Sequence, residues 1–191
     1  MIRFLNDETV AGYRYGKGAI SRFDEVTEAI LIAQGDAEDY PAVTKPVEVL
    51  SSFAVAASCA LTAADEVLGS LTIRAGIIGV NSIIQIEPLW TFTNSANNKI
   101  LKVRIGGVTV YSATRTTSVK EAPLIVLANR NSLVSQIQPL DNMYVTAGSS
   151  APATYMINFA NNVTIDITGQ RASNGDSLKL EYYRVLHFVG D

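Results

Sequence analysis

Between residues 83 and 115 the chain alternates apolar and polar side chains twice over, and no other feature limits its fold so sharply. In "SIIQIEPLWTFT", Ile84, Ile86, Trp90 and Phe92 share one parity, while Gln85, Glu87 and Thr91 share the other. A period of two puts one set on each side of an extended chain, so the segment predicts a strand with one buried face. "KILKVRIGGVTVY" repeats the pattern: Leu101, Val103 and Ile105 point one way, Lys102 and Arg104 the other, and Val108 and Val110 continue on a returning strand. Gly106-Gly107 suits a two-residue hairpin, because both central positions of such a turn need positive φ. "NSANN" before it is a corner rich in turn residues.

The remainder extends the theme. "APLIVLANR" (122–130) is apolar throughout and predicts a strand covered on both faces. "TYMINFA" (154–160) and "VTIDITGQ" (163–170) follow, the second with Val163, Ile165 and Ile167 inward and Thr164, Asp166 and Thr168 outward. "SNGDS" holds an Asn-Gly turn, and "SLKLEYYRVLHFV" closes the chain with Leu178, Leu180, Tyr182, Leu186 and Phe188 expected on one face. Roughly eight strands with turns between them, and no helical pattern after Gly35, predict a mainly β chain. The architecture expected for 48–191 is an antiparallel β-sandwich, jelly-roll-like. An immunoglobulin-like sandwich is the runner-up, without the cysteine pair of that fold's antibody members.

Residues 1–40 read differently. "IRF" is a short strand, Gly12, Gly16 and Gly18 punctuate a turn around Tyr13 and Tyr15, and "DEVTEAILIAQG" has helix grammar. Asp24 can cap the amino end, Glu25 and Glu28 sit where the helix dipole favours negative charge, and Gly35 suits the left-handed stop. Val26, Ala29, Ile30 and Ala33 fall at helical spacing and form the expected apolar face. A helix of about three turns does not stand alone in water, so it must pack on the strands before it as a small strand-turn-helix module. "YPAVTKPVEV" follows; Pro41 and Pro46 predict an extended linker over 41–47.

Charge narrows the function. Charged residues make up 17% of the chain, against roughly a quarter in soluble domains, which fits either a surface covered by partners or one built from Ser, Thr, Asn and Gln. The net charge is −3 with no basic block, so nucleic acid is not an expected partner. No apolar run approaches the ~20 residues that span a bilayer, and no membrane partner is expected. "MIRFLNDETV" carries no signal-peptide core, and the one cysteine, Cys59, cannot pair internally, so synthesis in a cytoplasm is expected.

Chemistry is sparse. The single histidine, His187, lies in the last strand and is expected to be a structural, outward-facing ring rather than a general base. One His and one Cys cannot build a metal site of those ligands, and "GDAEDY" (35–40) reads as a solvated helix exit. Asp65-Glu66 and Asp24-Glu25 are sequence neighbours, which strands would point apart. "GIIGVNS" lacks the lysine and spacing of a phosphate loop. No catalytic residue, cofactor or metal is expected. Tyr111, Tyr144, Tyr155 and Tyr183 are candidates for a sugar-binding face, against the plainer reading that such tyrosines close a sandwich core with a wet hydroxyl.

Two stretches resemble structural proteins of tailed bacteriophages. Gly12-Tyr13, Gly16, Phe23-Asp24, Ala29, Leu31-Ile32, Gly35 and Ala37-Glu38 are similar to a short strand-turn-helix module near the start of some virion proteins. "SLTIRAGIIGVNSIIQIEPLWTFTNSANNKILKVRIGGVTVY", with "NRNSLVSQ" and "VTIDITGQRASNGDSLKLEYYRV", resembles a β-sandwich domain of phage structural proteins. The resemblance implies a non-enzymatic virion protein, a decoration or cement protein that stabilises the capsid as a homo-oligomer, made in the host cytoplasm. It implies the major capsid protein and further copies of the chain as partners, with Arg3, Tyr13, Arg14 and Tyr15 in the anchoring module as contacts. A tail or fibre component binding a host surface glycan through the four tyrosines is the alternative.

Overall fold

The computed structural model describes residues 2–6, 8–10, 13–15, 20–21, 25–34, 37–39, 47–60, 64–139 and 151–190. The chain divides into two compact units, Met1–Thr44 and Lys45–Asp191.

In the first unit, β1 (Ile2–Phe4), β2 (Glu8–Val10), β3 (Tyr13–Tyr15) and β4 (Ile20–Ser21) precede α1 (Glu25–Ala33) and β5 (Ala37–Asp39). β1 lies between β4 and β5, and β2 pairs with β3, all antiparallel. Phe4 is buried. On α1, Leu31 is buried while Ile30 is half exposed, so the expected stripe through Ile30 and Ala33 is displaced by one residue. Ile30-Leu31-Ile32 can turn any member inward, and the packing of the unit, which periodicity does not see, selects the middle one. The capping residue Asp24, Gly35 and the prolines of the linker lie outside the described residues.

The second unit runs β6 (Val47–Phe53), β7 (Ala57–Ser58), β8 (Glu66–Ile73), β9 (Ile83–Phe92), β10 (Lys99–Ile105), β11 (Val108–Arg115), β12 (Lys120–Glu121), β13 (Ile125–Asn129), β14 (Gln136–Gln138), β15 (Ala153–Tyr155), β16 (Val163–Arg171) and β17 (Leu178–Phe188). The smaller sheet has the order β11-β10-β16-β8; the larger has β15-β14-β13-β9-β17-β6, with β12 on β9 and β7 on β17. β6, β8, β9, β10, β11, β13, β16 and β17 are each five residues or longer. Numbered in that order they form sheets 1-8-3-6 and 2-7-4-5. First pairs with last, second with seventh, third with sixth and fourth with fifth: a long hairpin rolled into two sheets, which is jelly-roll connectivity.

The core lies between the sheets. Ile84, Ile86, Trp90 and Phe92 from β9 meet Leu101, Val103 and Ile105 from β10 and Val163, Ile165 and Ile167 from β16, all buried on the expected parity. Trp90 stacks on Tyr111 with ring centroids 6.2 Å apart and planes 16° apart. Gly106 and Gly107 adopt φ of 58° and 80°, as the tight hairpin requires. Pro88 sits in the middle of β9 because β13 pairs only at 83–86 and β12 only at 90–91, leaving a gap where no ladder donor is needed. β13 is buried on both faces, as its sequence predicts.

Three expectations fail, two of them at β-bulges. On β17 the register against β9 shifts between Leu180 and Tyr182, so beyond Glu181 the inward residues are Tyr183, Val185 and His187, not Tyr182, Leu186 and Phe188. One inserted residue exchanges the two faces. On β16 the register against β8 shifts after Ile167, and Thr168 is fully buried rather than outward. "TYMINFA" yields only the three-residue β15; Met156 beyond it is 87% exposed.

Bulges also mark the long edge strands. Leu50 of β6, Leu68 of β8 and Val110 of β11 are each the extra residue in their ladders, and β15 at the remaining edge is three residues long. Such edges are poor templates for an added strand.

Candidate functional site

The Asn-rich corner that the sequence marks is a structural lock. Lys99, fully buried at the start of β10, donates from Nζ to the Ser95 hydroxyl at 2.6 Å and the Ser95 carbonyl at 3.3 Å, with Asp176 Oδ2 at 3.7 Å. Ser95 donates to the same Asp176 oxygen at 3.0 Å. Loop 93–98 is thereby tied to the β16–β17 turn, reinforced by Thr93 N–H to Ser177 O and Ala172 N–H to Asn98 O. A buried cation with this many acceptors holds a corner in one shape.

His187 corrects its expectation. It is 2% exposed, and its ring lies between Ser82 Oγ, 2.9 Å from Nε2, and Glu48 Oε2, 3.2 Å from Nδ1. Serine, imidazole and carboxylate stand in the order of a nucleophile, a base and an orienting group. Ser82, however, is 1% exposed, and its Oγ already accepts the Gly79 N–H at 2.9 Å. The turn is held further by Asn129 Nδ2 donating to Gly79 O at 2.6 Å, and Gly190 passes so close to the Asn81 backbone that a Cβ would stand 2.3 Å from it. No acyl group can reach that hydroxyl, so the array ties β6, β17 and the turn before β9 together. Sequence spacing gives no hint of it, since the three residues are joined only by the pairing of β17 with β6 on one side and β9 on the other.

Of the four tyrosines, Tyr111 and Tyr183 are buried, which corrects their assignment to an outward ligand face. Tyr183 packs on Phe53 and donates to Ser70 O at 3.3 Å. The Tyr111 hydroxyl donates to Glu121, which also accepts from Arg115 Nε at 2.6 Å. Burial pushes the Glu121 carboxyl up, but the bonds from Arg115 and Tyr111 outweigh it and hold the group below the usual carboxylate range. Tyr155 is half-buried, and desolvation raises its phenol above its ordinary value. Tyr111 and Tyr155 meet in a cleft of about 260 Å³ between β11 and β14–β15, with Thr109, Ser112, Gln138 and Pro139. Tyr144 lies outside the described residues, as do the side chains of Arg3, Tyr13, Arg14 and Tyr15.

The outer face of the larger sheet carries a feature that only the registers reveal. Val47 pairs with Phe188, Phe188 with Ile83, Ile83 with Ala128 and Ala128 with Ile137: one apolar row across five strands. The next row runs Val49, Leu186, Gln85 and Val126, and the row after it is closed by the Arg184–Glu87 ion pair. Val49 is 62% exposed, and Val47 and Ile83 are more than a third exposed. The β13–β14 end holds a dimple of about 280 Å³ lined by Val126, Ala128, Ile137, Gln138, Pro139 and Pro152. Among the described residues, no group of three or more His, Cys, Asp or Glu could hold a metal ion, and no helix is long and apolar enough to cross a membrane.

No family model and no curated protein matches the sequence. Solved structures similar to the chain include the CBM2 module of the evolved Dit of Lactobacillus casei BL23 phage J-1, with TM-score 0.38 and 12% identity over 80% of this chain and 94% of that one. Dimeric latent PorU from Porphyromonas gingivalis gives TM-score 0.33 and 10% identity over 78% of this chain and 14% of that one. The infectious bursal disease virus Gt strain structure gives TM-score 0.29 and 13% identity over 93% of this chain and 39% of that one. Likenesses this distant name no family.

Proposed function

We infer that the chain is a non-enzymatic structural protein of a phage virion, a decoration or cement protein that binds the major capsid protein and copies of itself, with residues 1–46 as the anchor. The observation that carries this reading is the apolar band on the outer face of the larger sheet, in a chain that carries few charges. At roughly 350 Å² the band is of the size that is often functional on a protein surface, and it supplies the face for assembly. The phage-like module and sandwich motifs of the sequence supply the particle. Decoration adds contact area between subunits already in place, which calls for a rigid sandwich and weak, repeated contacts rather than a reactive centre.

Quantitative mass spectrometry of purified virions tests this. Copies equal to the major capsid protein, or a simple fraction of it, are expected; absence from the particle would overturn the proposal. A few copies per particle would favour the second reading, a tail or fibre component, for which the cleft at the half-buried Tyr155 is the feature that could take a glycan. Isothermal titration with host surface glycans then separates the two.

A further inference from the structure

The apolar band is symmetric about β9 in a way that identifies its occupant. Counting outward from β9, β17 and β6 lie on one side, and β13 and β14 on the other. The β6 end presents a knob, with Val49 62% and Val47 39% exposed. The β13–β14 end presents the dimple bordered by Ala128, Ile137, Pro139 and Pro152. A two-fold axis parallel to the strands and lying over β9 carries β6 onto β14 and β17 onto β13. Each copy's valine knob then enters the other's dimple, Ile83 meets its own counterpart on the axis, and the strands of the two sheets run nearly aligned, as in face-to-face sheet packing.

We propose that this face is an isologous interface with a second copy of the chain. Charge agrees: the two rows contain no charged side chain, and Arg184 and Glu87 at their border neutralise each other, so like copies do not repel. The bulge at Leu50 of the β6 edge disfavours the rival mode of self-association, strand addition. Area sets the strength. Five strands at ~4.8 Å spacing and two residue rows cover roughly 350 Å², under half of the ~800 Å² per partner of a standard stable interface. The pair is therefore weak in dilute solution and gains where copies are held close, as on a particle. The inference rests on the self-association part of the proposed function and is independent of the capsid.

Sedimentation velocity of the full chain across a concentration series reads it. Wild type should move from monomer towards dimer, with Kd on the order of 100 µM. Val47→Lys and Ile137→Glu, which the two-fold places opposite each other and each folded by circular dichroism, should each weaken association by about tenfold or more. Mixing the two should restore a dimer, because the new lysine of one copy faces the new glutamate of the other while the second knob and dimple are wild type. Undiminished association of Val47→Lys, or a mixture no tighter than either variant alone, would overturn this interface and leave self-association by another surface standing. A wild type that stays monomeric throughout the series would overturn both.

Discussion

The two sheets of the sandwich are built from the same alternating pattern, yet their outer faces differ in kind. On the smaller sheet Asp166 stands opposite Ser70 and Arg104, Ser70 donates to Asp166 at 2.7 Å, and Thr72 meets Thr164 at 3.3 Å. Asp65 reaches over that face to accept from Lys102 at 2.8 Å and from Arg104. On the larger sheet the equivalent positions are Val47, Phe188, Ile83, Ala128 and Ile137. One face is finished with hydrogen bonds and ion pairs made within the molecule, whereas the other makes such contacts at Gln85, Glu87 and Arg184 but leaves the row from Val47 to Ile137 apolar. Polar outer residues satisfy themselves against neighbours and water, but apolar ones gain only by being covered.

The largest test ignores the contrast. Leu101 of β10 and Ile86 of β9 are both fully buried on inner faces, so Leu101→Ala and Ile86→Ala should each cost about 2–5 kcal/mol in urea unfolding, whatever lies outside. A loss below ~1 kcal/mol in either would mean that its sheet is not packed on the core.

A smaller effect belongs to the polar face. Burial raises the Asp65 carboxyl, but hydrogen bonds and charge from Lys102 and Arg104 prevail and keep it below its ordinary value. A carboxyl that titrates lower when folded contributes stability above its unfolded pKa and loses it as pH falls through the folded one. Asp65→Asn should therefore cost about 1 kcal/mol near neutral pH, with the gap to wild type closing in acid below the usual carboxylate range. A gap that persists unchanged there would assign the loss to packing instead.

The smallest effect on stability, and the sharpest contrast, is expected on the apolar face. Ile83 is 37% exposed, so Ile83→Lys should leave unfolding within about 0.5 kcal/mol of wild type while raising solubility and reducing self-association. A large loss of stability would mean that the band is covered within the monomer.

Legibility followed the length of unbroken alternation. β9 and β10 were readable residue by residue, and so was the Gly106-Gly107 hairpin, because period two and positive φ are local properties. β17 was readable only as far as Glu181. A bulge inserts one residue without any local mark, and every parity after it inverts, which is why His187 and Tyr183 turned inward and Tyr182 outward. Tyr111 and Tyr183 were out of reach for a related reason: parity cannot tell an inward ring with a bonded hydroxyl from an outward one. On α1, three consecutive large apolar residues left the buried one to be chosen by packing.

The sequence by itself determined the class of fold, the positions of most long strands and the side chains of the inner faces, since these follow from spacing along a single segment. Only the tertiary structure decided what the molecule can do with its surface. The apolar band joins residues 47, 83, 128, 137 and 188, and the clamp joins Glu48, Ser82 and His187. Both are made by register between distant strands, and register is a property of pairs, fixed when the rolled hairpin closes and written in no single stretch of chain.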